Sequence, residues 1–287
     1  MFRTSELKNP YKTKPISSEV ILITKLYKKC DIDSWVDHYL NWCGFDHIII
    51  VDNESNCCNI KEKFKDNEKV DVVLLYDKSK FLNVQQYYYT RYVNTNNKYT
   101  YQFFCDDDEY LWFDKTKYKT INDYLKKLNE NDIYQFGVPR TNISYKSSKT
   151  PKTRQKPMID DCKYVSEKYN QETFVDVKPF IHRFLKNTMD HIKFVYPHFI
   201  NNYPVTLPNN TTFEPKVVGP KAKINVSNCD IRLFHYYHRS LDEWEEKLNR
   251  TRIDSVENLK YKDQPTDKSI DYPENEYTKL LNPFKRK

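Results

Sequence analysis

Val20-Ile21-Leu22-Ile23-Thr24, then Ile32-Asp33-Ser34-Trp35-Val36-Asp37-His38-Tyr39-Leu40-Asn41-Trp42-Cys43-Gly44, then His47-Ile48-Ile49-Ile50-Val51-Asp52 follow one another near the start of the chain. The first run is short, unbroken in its apolar character and rich in β-branched side chains, which predicts a strand buried on both faces, as in a parallel sheet. In the second, Ile32, Trp35, Val36, Tyr39, Leu40 and Cys43 recur at helical spacing and form one apolar face. Asp31 or Asp33 is available as N-cap, and Gly44 stands just past the end. The third run is another strand. Strand, helix, strand is the unit of an α/β fold with right-handed crossovers.

The same rhythm continues outward. Val70 to Tyr76 reads as a third strand, Phe81 to about Asn94 as a helix, and Tyr99 to Cys105 as an aromatic strand. Ile121, Tyr124, Leu125 and Leu128 predict a helix behind Thr120, with Asp123 as its capping-box partner, and Ile133 to Val138 a further strand. Residues 140 to about 172 are rich in Lys, Ser and Thr, contain Pro151 and Pro157, and are too long for an ordinary connection, which suggests a mobile loop or lid. Order returns at Phe174 to Phe184, Ile192 to Tyr196 and Cys229 to Tyr237, followed by a helix opening at Ser240 with Glu243 as capping partner. There is no internal repeat.

Composition narrows the function. The 287 residues include only three glycines, Gly44, Gly137 and Gly219, far apart from one another. No Gly-rich loop can therefore cradle a phosphate through backbone N–H groups. The net charge of +7 is spread over the chain without a dense basic stripe and argues only weakly for a polyanion. Seven cysteines, an odd number with no CxxC pair, suit reduced thiols in a cytosol-like compartment better than a disulfide framework. Asn-rich stretches, and sequons such as Asn142-Ile143-Ser144, read as compositional noise. No apolar run reaches the ~18 residues of a spanning helix, so a soluble, cytoplasmic protein is expected.

Asp106-Asp107-Asp108-Glu109 is the sharpest feature. It interrupts apolar sequence on both sides, and four like charges at the end of a buried strand are costly without cations or donors to offset them. In an extended chain Asp106 and Asp108 would face one site together while Asp107 faces away. This is a DXD arrangement, in which Mg²⁺ or Mn²⁺ bridges carboxylates and a nucleotide diphosphate; otherwise such a run is a solvated turn. Asp52, at the end of the second strand, would lie at the same sheet edge, where ligands of open α/β sheets collect. A carboxylate there can accept from a base N–H or a ribose hydroxyl, or can simply form a turn. His235-Tyr236-Tyr237-His238 does not put both imidazoles on one face, so a two-His zinc site is not expected; one of them can complete a carboxylate-held cation site. A lone histidine such as His198, after Pro197, reads first as structural.

Taken together, Thr24-Lys25, Trp35 to Leu40, Gly44 to Ser55, Phe104 to Tyr110, Phe136-Gly137, Lys178 with Arg183, Pro197-His198 and His235 to Arg250 resemble the family 2-like and family 92 glycosyltransferases of the GT-A fold. The blocks occur in the family's order over about residues 20 to 252. Asp106, Asp108, Glu109 and Tyr110 match the family's D-x-D-E-aromatic pattern, and His235, Tyr236, Arg239, Ser240 and Lys247 match its closing block. The resemblance implies a GT-A α/β domain over 18–252 with a mostly parallel central sheet flanked by helices, a polar leader over 1–17 and a polar tail over 253–287. It implies an inverting enzyme of hexosyltransferase type that moves a sugar from a nucleoside-diphosphate donor, such as UDP-sugar, to a hydroxyl on a glycan or protein. Mn²⁺ or Mg²⁺ would be held by Asp106, Asp108 and His235, and the donor by Thr24, Lys25, Asp52, Asp106 and Asp107. The general base is expected between Gly137 and Lys178, where Asp160 and Asp161 are the nearest candidates. Two rivals remain: an inactive GT-A-like module that binds carbohydrate or protein, and a basic nucleic-acid-binding protein, against which the clustered acids count.

Overall fold

The computed structural model describes residues 15–24, 26, 31–76, 81–95, 98–131, 133–145, 150–161, 164–182, 194–195, 199–200, 203–214, 222–236, 240–243 and 277–279. Lys25, Arg183, Pro197, His198, Arg239, Lys247 and most of the expected leader and tail lie outside them. The first half runs β1 (Ser18–Thr24), α1 (Ile32–Asp37), β2 (His47–Asn53), α2 (Ile60–Lys63), β3 (Val70–Leu75), α3 (Phe81–Thr95), β4 (Tyr101–Cys105), β5 (Glu109–Phe113) and α4 (Ile121–Glu130). The second half is strand-rich: β6 (Gln135–Ser144), α5 (Met158–Asp161), β7 (Tyr164–Ser166), β8 (Thr173–Val175), β9 (Val177–His182), β10 (Phe194–Val195), β11 (Phe199–Ile200), β12 (Val205–Thr206), β13 (Thr212–Phe213), β14 (Ala222–Ile224), β15 (Ile231–His235) and β16 (Tyr277–Lys279).

The central sheet has the order β3-β2-β1-β4-β9-β6. The first four strands are mutually parallel, β9 runs antiparallel to both its neighbours, and β6 again runs with the first four. The chain is therefore an α/β protein with a mostly parallel central sheet flanked by helices, the fold class expected. Alternation along the strands divides the core. Val20, Leu22, Ile48, Ile50 and Phe103 pack with Trp35 and Tyr39 and with Tyr124 and Leu125 of α4. Ile21, Ile23, Ile49, Val51 and Phe104 face the other way, onto Val84, Tyr89 and Val93 of α3. Each such side chain, fully buried, contributes about 1.5–3 kcal/mol.

Several elements differ from expectation for identifiable reasons. The first helix does not stay α-helical: beyond Asp37 it continues as a π-helical turn, His38–Cys43, and ends at Gly44 with φ of 78°. Asp31 holds the N-cap position without capping; its carboxylate is bound instead to Arg154 and to the Met158 backbone N–H. The strand expected to stop at Val138 extends to Ser144, because β6 changes partners along its length. It pairs with β9 through Pro139, with β15 at Arg140 to Asn142, and with β7 at Ile143 and Ser144. Where order was expected to return at Phe174, two separate strands lie on either side of Asp176, β8 and β9. At α4 the capping box forms as read, with Thr120 and Asp123 exchanging hydrogen bonds. Ser240 and Glu243 are likewise bonded, Oγ to Oε2 at 2.5 Å.

Candidate active site

Parallel strands β1, β2, β3 and β4 end at one edge, and the acidic residues gather there. Thr24 is paired with Asp52 and Leu22 with Cys105, so Asp52 and Asp106 both leave the sheet on this side, separated by β1. Asp52 is buried, and its Oδ1 accepts from the Ser55 N–H at 2.9 Å. Beyond it lies a cleft of about 580 Å³ whose lining includes Asp52, Glu54, Cys58, Leu74 and Tyr76. Glu54 turns the chain there with φ of 61°. Thr24 is buried beside it, and its hydroxyl has no hydrogen-bond partner among the described residues.

The four-acid run is a turn between β4 and β5, not an extended segment: the Glu109 N–H donates to Asp106 O at 3.2 Å. The expectation that alternate residues share a face in an extended chain is thereby corrected. The turn sorts the acids. Asp106 accepts from Gln85 Nε2 at 2.9 Å on one oxygen and from Lys178 Nζ at 2.8 Å on the other. Glu109 is wholly buried and accepts from the Asp106 backbone N–H at 2.9 Å and from Arg140 Nη1 at 3.2 Å, with Lys178 Nζ at 3.5 Å. Arg140 also pairs with Asp176. Trp35 Nε1 and the Tyr39 hydroxyl donate to the carbonyls of Asp106 and Glu109, so helix-face aromatics fix the turn's backbone.

Asp108 turns to β15. Its carbonyl accepts from the Tyr236 N–H at 2.8 Å, and its Oδ1 faces His235 Nε2 at 3.5 Å. The pairing of His235 with Glu109 on β5 and with Asn142 on β6 brings these distant segments together. His235 Nδ1 lies 3.0 Å from Asn142 Oδ1, which orients the ring so that Nε2 faces the Asp108 carboxylate. With a proton on Nε2 the two side chains form an ion pair; without one, a cation can lie between them. The donor set, one carboxylate and one imidazole, fits a divalent ion that keeps positions open for other ligands. Among the described residues no group of three or more His, Cys, Asp or Glu side chains converges to hold a metal. The structure thus brings Asp108 and His235 together and directs Asp106 to Lys178 and Gln85.

Burial governs the electrostatics. Loss of solvation pushes the Glu109 carboxyl up, to about 7, aided by Asp106 and opposed by Lys178 and Arg140. Burial by itself would pull the Lys178 ammonium down, yet Asp106 and Glu109 hold it above its ordinary value. Two of the four acids are therefore answered by cations of the protein itself. Asp107 is half-buried in the turn.

Asp160 and Asp161 close the short helix α5. Tyr145 OH donates to Asp161 Oδ2 at 2.6 Å. The segment before them is pinned by Arg154, which binds Glu243 through two nitrogens and Asp31 through a third contact. Gln85, Arg140 and Asn142 escaped the sequence reading. Arg140 is one basic residue among many, and Asn142 falls in a sequon set aside as compositional. Strand pairing with β15 identifies Arg140 and Asn142, and the packing of α3 beside the acidic turn identifies Gln85.

No family model matches the chain, and no curated protein matches it. Among solved structures, the 1–349 segment of TarS from S. aureus in complex with UDP-GlcNAc is 14% identical, over 63% of this chain and 48% of that one, with a TM-score of 0.36. The 4-diphosphocytidyl-2C-methyl-D-erythritol synthase of Anaerococcus prevotii is 11% identical over 71% and 93%, at 0.34. HddC from Yersinia pseudotuberculosis is 11% identical over 92% and 88%, at 0.31. The aligned part spans about half of the TarS segment's length. Likeness at this level leaves the site to be argued from the chain's own residues. Among the described residues no helix is long and apolar enough to cross a membrane.

Proposed function

We propose that the chain is a divalent-metal-dependent glycosyltransferase of the GT-A type, transferring a hexosyl group with inversion from a nucleoside-diphosphate donor, UDP first among them, to a hydroxyl of a glycan or protein. The observation that carries this reading is the opposition of Asp108 and His235 at 3.5 Å at the edge where the parallel strands end. Mn²⁺ or Mg²⁺ held by these two side chains would stabilise the charge of a departing diphosphate.

The chain's own groups have separable tasks. Asp52, Thr24 and the adjoining cleft take the nucleoside: the carboxylate accepts from a base N–H or ribose hydroxyl, and the Thr24 hydroxyl supplies a further polar atom. Asp106, oriented by Lys178 and Gln85, accepts from the ribose; Lys25 and Asp107 complete the donor contacts. The base that removes the acceptor's proton is Asp160 or Asp161, on the segment fastened by Arg154. Attack then comes from the face of the sugar opposite the diphosphate.

The test is calorimetric titration of UDP with Mn²⁺, alongside a screen of nucleotide sugars for hydrolysis with and without Mn²⁺. Metal-dependent heat and turnover are expected in the native chain, and Asp108→Asn should lose both while unfolding at an unchanged midpoint. Turnover that persists in a chelated sample would overturn the mechanism. Absence of any heat would favour an inactive module.

A further inference from the structure

Cys57 and Cys58 stand side by side in the irregular turn between β2 and α2, with their Sγ atoms 3.6 Å apart and no disulfide between them. Both side chains are half-buried against the core formed around α1 and α2. Cys58 also lines the cleft beside Asp52. The turn is tied at each end: the Asn56 N–H donates to Leu26 O at 2.9 Å, and Asn59 caps α2 through Glu62 N at 3.1 Å.

The other described cysteines are built differently. Cys43 and Cys105 are fully buried, and desolvation pushes both thiols well up. Desolvation also raises Cys229, to about 11, and its Sγ donates to Asn225 O. A thiol reacts as its thiolate and only where a reagent can reach it, so these three are inert by environment. The pair in the turn combines access from the cleft with a second sulfur already at van der Waals distance.

We propose that Cys57 and Cys58 form a redox-active vicinal dithiol, a modification site for small disulfides of the oxidised-glutathione class. The Cys58 thiolate, reached through the cleft, attacks one sulfur of the disulfide and expels one small thiolate, leaving a mixed disulfide on Cys58. The Cys57 thiolate then attacks the Cys58 sulfur and expels the second. Two protein thiols are oxidised to one disulfide, the small disulfide is reduced to two thiols, and the two protons pass to the departing thiolates. A sulfur–sulfur bond of ~2.05 Å requires the pair to close by about 1.5 Å. Adjacent Cα atoms are held at ~3.8 Å by the peptide unit, below the ~4.4 Å at which ordinary disulfides begin. The ring is therefore strained and readily reduced, and the product is a reversible mark, not a structural staple. An irregular turn can absorb such a closure where a helix or strand would not.

The test uses the full chain, equilibrated with mixtures of reduced and oxidised glutathione, then alkylated and analysed by peptide mass. The expected product is a peptide carrying both cysteines that has lost the mass of two hydrogens, escapes alkylation and returns to two alkylated thiols with dithiothreitol. In Cys57→Ser the mixed disulfide should accumulate on Cys58 in the oxidised mixtures, because no neighbouring protein thiol is left to displace it. Phenylarsine oxide, which bridges two thiols, should be captured by the native chain and not by either single serine variant. Alkylation of both positions throughout the range, or glutathione adducts in the native chain that never resolve to the ring, would overturn the proposal. These readouts need no nucleotide, so they succeed or fail independently of the donor reading.

Discussion

Lys178 Nζ sits 2.8 Å from Asp106 Oδ2, with the lysine side chain 1% exposed. A buried ammonium in contact with Asp106 and within 3.5 Å of Glu109 means that two acids of the turn are neutralised from within the sheet, by a residue of the antiparallel strand β9. Removing one partner of a buried pair leaves an uncompensated charge, which costs about 3–5 kcal/mol. Lys178→Met should therefore lower the urea-unfolding free energy by that order. Adding Glu109→Gln should recover part of it, and equal losses in the single and double variants would contradict the internal-neutralisation account.

Asn142 orients His235 from behind. Outer hydrogen bonds to a ligating imidazole typically account for 10–100-fold in metal affinity. Asn142→Leu should weaken Mn²⁺ binding, measured by titration in the absence of nucleotide, by about that factor while leaving Asp108 in its contact with the Tyr236 N–H. An unchanged affinity would exclude His235 as a ligand oriented through Asn142.

His38 supplies a pH dependence of stability. Desolvation brings its imidazole from 6.5 down to about 3, against the hydrogen bond to Leu111 O, which favours the protonated ring. Between those values the unfolded chain binds a proton that the folded chain refuses. Stability is thus complete above 6.5 and falls as pH drops from there toward 3, by up to about 1.4 kcal/mol per unit. His38→Gln, which keeps an N–H for Leu111 O, should flatten that slope in denaturant melts recorded between these limits.

Gly137 is needed for lack of space. A Cβ there would lie 2.7 Å from Val205 Cγ1 and 3.3 Å from Val177 Cγ2, and β-branched neighbours cannot swing aside cheaply. Gly137→Ala should destabilise by about 1–3 kcal/mol. Combined with Val205→Ala it should cost less than the sum of the two single changes, a coupling that a double-mutant cycle in urea reads directly.

Much of this architecture was readable in the residues, and the physical reason differs by element. Ile32 to Cys43 and the Thr120–Asp123 box depend on neighbours three and four residues away, so local spacing suffices, although it does not distinguish an α-helical from a π-helical turn at His38. Val20 to Ile23 and Ile48 to Val51 declare themselves because strands buried on both faces need continuous apolar sequence. The antiparallel direction of β9 could not be read, since Val177 to His182 looks the same in either orientation. Nor could the sorting of the acids. That four carboxylates form a turn, with Asp106 and Glu109 on Lys178 and Arg140 and Asp108 on His235, follows from pairings between segments remote in sequence. The Asp31 side chain illustrates the same limit: its local role as a cap gives way to a distant guanidinium.

The place of β9 between β4 and β6 also bears on how the molecule is made. During synthesis the block β3-β2-β1-β4 can assemble once residue 105 has emerged, but β6, the next strand of this central sheet, cannot join that block until residues 177–182 arrive to lie between them. At ~5–20 residues per second that is a wait of several seconds. Throughout it the newborn chain exposes the flank of β4, while β6 has at most β7, at Ile143 and Ser144, to pair with, the interval in which a chaperone would find it.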